Sequence, residues 1–247
     1  MKTLEHLVSA NWEKLEEMEA LLGCKFHSKI LLQKALVHSS FGFEQIADGQ
    51  NNETLEFLGD AVLSLVITDM LLHRFPDKRE GELTKMRAGL VRGKTLARIA
   101  GSISLGDFIM LGKGEKVSQG RKKASILASA FEALIGAVYL DRGYDSAMDI
   151  IGRHFNPMVS EIQGEKIAED AKSLLQEKLQ EEFNQAPTYC LESEEGPAHA
   201  KKFTVSVRFA EEILGAGSGK SKKEAEKMAA AVALETMASW WDRLREQ

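Results

Sequence analysis

The sequence predicts two domains, an all-α N-terminal domain and a smaller α+β domain with the element order α-β-β-β-α. Apolar side chains recur at three- and four-residue spacing through residues 11–155, which is typical of packed helices. Strict apolar–polar alternation, the pattern of a half-buried strand, occurs only toward the C-terminus. A polar stretch with a central glycine separates the two patterns. We therefore expect domains at residues 12–158 and 169–239, joined by a linker at 159–168.

The helical half begins with Trp12, Leu15 and Met18, which are spaced one helical turn apart. Longer apolar helices are predicted further along the chain. Pro157 is expected to end the last of them, because proline lacks a backbone N–H. The predicted apolar stretches are Thr54–Leu72, Leu90–Ile99 and Ser125–Leu140.

The C-terminal half starts with a predicted helix around Leu175. Val205 and Val207 belong to the clearest strand, in which apolar and polar residues alternate. A last helix is expected to open at Ser221, with Glu224 at the spacing of a capping box. The predicted strands are 188–193, 203–209 and 213–216, and the predicted last helix is 222–238.

Composition excludes several classes of protein. Of the 247 residues, 44% are apolar and 28% charged, which is unlike collagen, low-complexity or wholly disordered chains. The N-terminal segment lacks the apolar core of a signal peptide, and the most apolar run, residues 61–72, is too short to span a bilayer. The two cysteines, Cys24 and Cys190, are far apart and form neither a disulfide framework nor a zinc motif. We expect a cytoplasmic protein without a membrane partner.

The formal net charge of −5 argues against nucleic acid as a partner, because phosphates attract basic proteins. Residues 169–247 are the more acidic part, with 15 Asp and Glu against 11 Lys and Arg. Their cations nevertheless cluster, since Lys220, Lys222 and Lys223 lie together at the start of the last helix. Lysines there oppose the helix dipole, and either a docked phosphate or an ordinary solvated helix start accounts for them.

A row of carboxylates lies in an apolar helix of the N-terminal half. Glu53, Glu56 and Asp60 follow an i, i+3, i+7 spacing, which places them within about 60° on one helical face. Glu132 is the lone acid of a second, nearly all-apolar segment at residues 130–138. Buried carboxylates are costly unless they are paired or bind metal, and oxygen ligands suit hard cations such as Mg²⁺. If the two helices meet, these acids can form a Mg²⁺ site that acts on a phosphoryl group.

Ion pairing is the alternative for these acids. A single buried Glu is more often paired than metal-bound, whereas three aligned acids and a fourth favour a metal. Under this alternative the chain is a structural helical protein. Glu80, in a charged loop, is taken by itself as a solvated charge. The candidate ion-pair partners are Lys85, Arg87, Arg92 and Arg98.

Further features accompany the lysine cluster. Gln176 and Gln180 share one helical face, and the turn Gly196–His199 would hold His199 at its tip. Amide and imidazole groups can contact the sugar hydroxyls of A-form RNA, while lysines contact its phosphates. The order of these features is fairly specific for recognition of RNA by shape.

The segment GSGKS, residues 217–221, lies between a predicted strand and a predicted helix and is similar to a P-loop. A P-loop requires a glycine five positions before Gly219, and Leu214 stands there. No nucleotide cofactor is therefore expected.

With these motifs the chain resembles bacterial ribonuclease III over nearly its whole length, from about Trp12 to Met237. Residues 52–60, NETLEFLGD, look like the acidic signature motif of that family. Other segments similar to the family are 35–39, 80–81, 86–92 and 125–140, and those similar to a double-stranded-RNA-binding domain are 170–177, 196–199 and 217–226. The resemblance implies an all-α endonuclease domain followed by an α+β domain that binds double-stranded RNA.

The resemblance also implies an activity. The family cleaves double-stranded RNA as a homodimer by Mg²⁺-dependent phosphodiester hydrolysis, with Mn²⁺ as a possible substitute, and leaves 5′-phosphate and 3′-hydroxyl ends. Processing of ribosomal-RNA precursors and other structured transcripts is the expected role.

Residue roles follow by motif position. The implied metal ligands are Glu56, Asp60 and Glu132, and the implied catalytic acids are Asp60, Glu132, Glu53 and Glu80. Phe57 is implied to lie at the dimer interface. The implied RNA contacts are Gln176, Gln180 and His199 in the minor groove and Lys220, Lys222 and Lys223 on the phosphates.

One position departs from the family pattern. The family usually has an acid three residues before the Glu of the last catalytic helix, and this chain has Ser129. The neutral hydroxyl removes one negative charge and is at most a weak metal ligand. We expect a working site with weaker Mg²⁺ affinity, and the alternative is a double-stranded-RNA-binding regulator with an inactive metal site.

Overall fold

The computed structural model describes residues 1–197 and 200–245 and, for residues 163–170, the helical backbone alone. The predicted RNA contact His199 lies outside the described residues. The chain forms two compact units, Met1–Val159 and Ser160–Gln247. The bounds of the linker at 159–168 stay a prediction.

The N-terminal unit is built of helices, as predicted. Short 3₁₀ turns at Leu105–Asp107 and Gly120–Lys122 connect some of them. The helices are α1 (Leu4–Ala10), α2 (Trp12–Leu22), α3 (Lys29–Ala35), α4 (Ser39–Gln45), α5 (Glu53–Arg74), α6 (Glu80–Val91), α7 (Gly93–Ser102), α8 (Lys113–Val117) and α9 (Ala124–Phe183), the last of which extends into the second unit.

Helix α9 does not end where the sequence predicts. Pro157 lies inside the helix, so the prediction that it ends the helix is wrong. A proline removes one N–H donor and costs about 3 kcal/mol in a helix, which the bonded turns on either side can offset. The interruption lies instead at Gly143, whose φ of 81° and ψ of −177° are accessible essentially only to glycine.

The core of the N-terminal unit forms where α5 packs against α9. Val66 and Ile67 of α5 and Phe131 and Leu134 of α9 are fully buried, and all four belong to predicted apolar stretches. By length and composition alone Ala124–Ile162 could cross a membrane, but 56% of its most apolar window is buried inside the protein. A buried core helix of a globular domain can have the same length and apolar composition as a membrane-spanning helix.

The C-terminal unit confirms the α-β-β-β-α order. Three antiparallel strands, β1 (Thr188–Glu195), β2 (Lys202–Phe209) and β3 (Glu212–Gly219), follow the end of α9 in the sheet order β1-β2-β3. Val205, Val207 and Phe209 are buried, as their alternation predicts. Helix α10 (Lys222–Glu235) and helix α11 (Met237–Arg245) complete the unit.

Strand β3 continues through the segment that is similar to a P-loop. A Cβ on Gly217 would lie 2.3 Å from the backbone nitrogen of Ala229, and one on Gly215 would lie 2.7 Å from the carbonyl oxygen of Ala229. Alternate glycines therefore let one face of β3 lie directly on the alanines of α10. Residues 217–219 belong to a strand, and the prediction that places them between a strand and a helix is wrong.

Helix α11 was not predicted. The predicted helix at 222–238 ends at Glu235, where the Thr236 hydroxyl donates to the carbonyl oxygen of Val232 at 2.9 Å. Trp240 on α11 is 2% exposed, and its indole N–H donates to the carbonyl oxygen of Ala233 at 2.9 Å. The core of the small unit thus includes two helices, α10 and α11, where the sequence pattern predicts one.

Candidate active site and RNA-binding surface

The predicted acids of α5 lie in its first turns. Glu53 is the first helical residue, and its backbone N–H donates to the side-chain oxygen of Asn51 at 2.9 Å. Glu56 is half-buried, whereas Glu53 and Asp60 are exposed. One apolar side of α5 faces solvent, so the helix is buried on part of its circumference only.

Two glycines let α5 and α9 approach closely. A Cβ on Gly59 would lie 1.8 Å from the carbonyl oxygen of Glu132, and one on Gly136 would lie 2.2 Å from that of Leu55. Only glycine fits these two positions. The apolar periodicity of α5 and α9 does not point to these glycines. A glycine inside an apolar helix costs about 1 kcal/mol relative to alanine, so its presence there indicates a close approach.

This crossing brings the acids of both helices together. Burial, followed by the charges of Asp60 and Glu56, raises the pKa of Glu132 to about 7. The Ser129 hydroxyl donates a hydrogen bond to Oε1 of Glu56 at 2.8 Å. The structure therefore gathers the four residues of the predicted ligand set: Glu56, Asp60, Ser129 and Glu132.

Three of the four candidate ion-pair partners bond other groups, and Arg98 donates to the Met158 sulfur at 2.9 Å. Arg87 donates to the Thr68 hydroxyl at 3.0 Å, and Arg92 donates to the Thr95 hydroxyl at 3.3 Å. In the described part of the chain, no lysine or arginine forms a salt bridge with the carboxylates at the crossing. The same residues contain no group of three Asp, Glu, His or Cys side chains in metal-binding geometry. The carboxylates are neighbours without a preformed coordination shell.

Glu53 and Glu80 are the remaining predicted acids, and Glu53 lies one helical turn before Glu56 on α5. Glu80 is the first residue of α6, is exposed, and accepts a hydrogen bond from the Thr84 hydroxyl at 2.9 Å. It lines a groove of about 390 Å³ together with Leu72 and Arg87. Within the residues described, neither Glu53 nor Glu80 forms a hydrogen bond or ion pair with the acids at the crossing.

The predicted RNA-contacting residues that the structure describes are exposed. Gln176 and Gln180 face solvent on α9, and the Gln180 amide donates to the side-chain oxygen of Asn184 at 3.0 Å. Both amides are therefore accessible to a ligand.

The start of α10 combines a cap with lysines. The Ser221 hydroxyl accepts the N–H of Glu224 at 3.2 Å, which confirms the predicted cap, and Glu224 Oε2 accepts the N–H of Lys220 at 2.7 Å. Lys201, Lys202 and Lys220 line an adjacent groove of about 720 Å³. Lys222 and Lys223 are exposed in the first turn of the helix. The arrangement places several lysines around one groove at the start of α10.

The solvent side of α5 is apolar. Phe57 is 83% exposed, Leu65 56% and Leu72 52%. At about 100° per residue these side chains fall within about 80° of one another, so they form one stripe along the helix. We call Phe57, Leu65 and Leu72 the α5 stripe. An exposed apolar stripe of this kind marks a surface for association.

Known proteins share both units of the chain. Residues 28–158 match the Ribonuclease-III-like family, and residues 171–237 match the Double-stranded RNA binding motif. Ribonuclease 3 of Desulfotalea psychrophila is 50% identical over 236 residues, which cover 96% of this chain and 98% of that protein. Ribonuclease 3 of Syntrophobacter fumaroxidans is 44% identical over 233 residues, which cover 92% of this chain and 96% of that protein.

A solved structure supports the same relationship. The nuclease domain of the Campylobacter jejuni ribonuclease III superimposes with a TM-score of 0.55 at 45% sequence identity, covering 58% of this chain and 96% of that one. High identity extends over both units, and Glu56, Asp60 and Glu132, the metal ligands that the resemblance implies, meet at one helix crossing. The chain therefore belongs to the ribonuclease III family of endoribonucleases, which act on double-stranded RNA.

Proposed function

We propose that this endoribonuclease hydrolyses phosphodiester bonds with Mg²⁺, for which Mn²⁺ can substitute, and leaves 5′-phosphate and 3′-hydroxyl ends. The observation that carries the proposal is the meeting of Glu56, Asp60 and Glu132 at the glycine crossing of α5 and α9. Repulsion among these carboxylates favours a bound divalent cation over the metal-free arrangement.

The residues present fit a hard divalent cation. Every donor is a carboxylate or hydroxyl oxygen, which is the ligand type that Mg²⁺ prefers. Mg²⁺ commonly takes one or two protein carboxylates and keeps several waters, so a preformed protein shell is not required. When bound, Mg²⁺ supplies a Lewis acid that activates water and offsets charge on the phosphoryl group.

The protein side chains then have separate roles. Glu56, Asp60 and Glu132 hold the cation, and Asp60 and Glu132 border the reacting phosphate. Glu53 and Glu80, both exposed and both first residues of their helices, extend the acidic cleft and position the RNA. This assignment agrees with the exposure of Asp60, which leaves the site open to a large substrate.

The small domain supplies the contacts with the duplex. Gln176, Gln180 and His199 contact the minor groove, and Lys220, Lys222 and Lys223 contact the phosphates. The exposure of the two glutamines and the lysine-lined groove support these roles. Because the domain is net acidic, its binding should be weak and sensitive to salt.

The protein acts as a homodimer in this proposal. The α5 stripe, which begins at Phe57, is the proposed contact with the second copy. The Campylobacter jejuni nuclease domain is described as having a region involved in dimer formation. A cytoplasmic role in processing ribosomal-RNA precursors and other structured transcripts completes the proposal.

Cleavage of long duplex RNA during a Mg²⁺ titration tests the proposed activity. Glu132→Gln should lower the cleavage rate at least about 100-fold, because it removes a charge from the centre of the site. Asp145→Asn, which changes an exposed acid of α9 beyond the interruption at Gly143, is the matched control and should cleave as the wild type does. The 5′ and 3′ ends of the products are identified by phosphatase sensitivity and ligation.

A second candidate function is supported by Ser129, which replaces a charge with a hydroxyl at the centre of the site. In that case the protein binds duplex RNA as a regulator without cutting it. Binding in a gel shift with no cleavage at millimolar Mg²⁺ or Mn²⁺, by folded wild-type protein, would establish this function and exclude the hydrolytic one.

A further inference from the structure

Ser129 lies at the α5–α9 crossing, one helical turn before Glu132. Its hydroxyl donates to Oε1 of Glu56 at 2.8 Å, and the bond is partly buried between two helices that Gly59 and Gly136 hold in backbone contact. The partners are 73 residues apart in sequence. This hydrogen bond is thus a tertiary contact that joins the two helices at the site.

The hydrogen bond restricts one carboxylate. Oε2 of Glu56 has no hydrogen bond in the described part of the chain, so one oxygen is held by Ser129 and the other is available to a ligand. A side chain held by one bond loses less rotamer freedom when its second oxygen binds a ligand. A carboxylate at position 129 could not donate this bond and would add a like charge at hydrogen-bond distance from Glu56.

We propose that Ser129 is a positioning residue that orients Glu56 for cation binding, and that this hydrogen bond sets the divalent-cation concentration the enzyme requires. The inference rests on the proposed function of Glu56 as a metal ligand. It differs from the expectation for Ser129 as a weak ligand, because Ser129 acts through Glu56 and has no contact with the cation itself.

Two readouts of cation binding test the proposal. The first is the rise in melting temperature of the RNA-free protein with increasing Mg²⁺ or Mn²⁺. The second is the cation concentration that gives half-maximal cleavage, measured together with the KM for duplex RNA. If Ser129 had only a structural role, replacing it would lower the melting temperature. The cation concentrations that half-saturate the melting-temperature rise and the cleavage rate would then stay unchanged.

Three substitutions of Ser129 separate the effect of the hydroxyl group from the effect of a charge at this position. Ser129→Ala should raise the half-saturating cation concentration in both readouts by about threefold to tenfold, the range expected for one net hydrogen bond. Ser129→Thr keeps the hydroxyl and should stay within about twofold of the wild type. Ser129→Asp should lower the melting temperature of the metal-free protein and enlarge the rise produced by the cation. The KM for RNA should be unchanged in all three.

Ser146→Ala is the matched control, because Ser146 lies further along α9, beyond the interruption at Gly143, and its hydroxyl donates to the backbone carbonyl oxygen of Arg142. Equal cation requirements for Ser129→Ala and wild type would overturn the proposal. Glu132→Gln distinguishes this failure from failure of the metal site. If Glu132→Gln still shows the wild-type rise in melting temperature, the proposed metal site is wrong. If it loses that rise while Ser129→Ala keeps it, only the role of Ser129 is wrong.

Discussion

Glu132 illustrates how position alone changes the chemistry of a residue. Burial disfavours its charged form, and the neighbouring Asp60 and Glu56 carboxylates disfavour it further, so its pKa rises to about 7. In the unfolded chain the pKa returns to its ordinary value of 4.5. The folded state therefore binds the proton more tightly, and without a cation the free energy of unfolding decreases as pH rises from about 4.5 to about 7.

Glu132→Gln should accordingly stabilise the metal-free protein at pH 8, where the wild-type carboxylate is ionised. The gain should shrink as the pH is lowered toward 5.5, because the folded wild type then holds the proton. Thermal unfolding in the presence of a chelator at both pH values measures the difference, and Asp145→Asn is the control. A melting temperature no higher than that of the wild type at pH 8 would contradict the assigned environment of Glu132.

Glu19 shows the opposite outcome for a buried acid. Burial would raise its pKa, but the ion pairs with Lys29 and Lys25 and the hydrogen bond from the Phe26 N–H outweigh burial and lower it. Lys29 lies 2.6 Å and Lys25 3.0 Å from the carboxylate, which is 1% exposed. Periodicity could not distinguish Glu19 from Glu56, because the pairing that separates a structural acid from a site acid depends on side chains from another segment.

Among the elements, the α5–α9 crossing has the strictest steric requirement. A methyl group on Gly59 meets the backbone of α9, which cannot move aside as a flexible side chain can. A similar close packing occurs in the small domain, where Gly215 and Gly217 of β3 lie against the backbone of α10. In both domains, glycine lets two elements touch through their backbones, but only the crossing in the larger domain aligns carboxylates.

Gly59→Ala should force α5 and α9 apart and destabilise the N-terminal domain by about 1–3 kcal/mol. Cleavage should fall more steeply than stability, because the acids of the two helices separate. Gly89→Ala is the control in α6, where nothing lies within 4 Å of the added methyl group, and it should be neutral or stabilising by up to about 1 kcal/mol. Denaturant unfolding and cleavage rates measure both effects. A Gly59→Ala enzyme as stable and active as the wild type would contradict the close approach of α5 and α9 at Gly59.

For the whole molecule, the α5 stripe and the distribution of charge decide which partners fit. The net charge of −5 is compatible with RNA because part of it lies in the carboxylates that would bind cations. The exposed lysines gather around one groove of the small domain. The α5 stripe carries large apolar side chains without a cover inside the described chain, so a second copy is the proposed partner.

Phe57→Glu combined with Leu65→Glu should shift the protein from dimer to monomer, because both charges would be buried at the contact. Sedimentation equilibrium measures the change in mass. Val117→Glu is the control on α8, since Val117 is 87% exposed and lies outside the α5 stripe. Dimers of wild-type stability in the double variant would place the interface elsewhere.

The sequence by itself determined the parts of this protein that depend on local periodicity. Three features of this kind are the spacing of Glu53, Glu56 and Asp60, the alternation around Val205 and Val207, and the cap at Ser221. Each lies within its own short segment, so neighbouring residues suffice to predict it. The family resemblance added the pairing of the α5 acids with Glu132.

Only the tertiary structure decided how those segments meet. Three features depend on residues that are distant in sequence. They are the close approach of the helix backbones at Gly59 and Gly136, the hydrogen bond from Ser129 to Glu56, and the exposure of Phe57. Periodicity predicts that a helix has an apolar face, but the packing of the whole chain selects which side is buried and which carboxylates become neighbours.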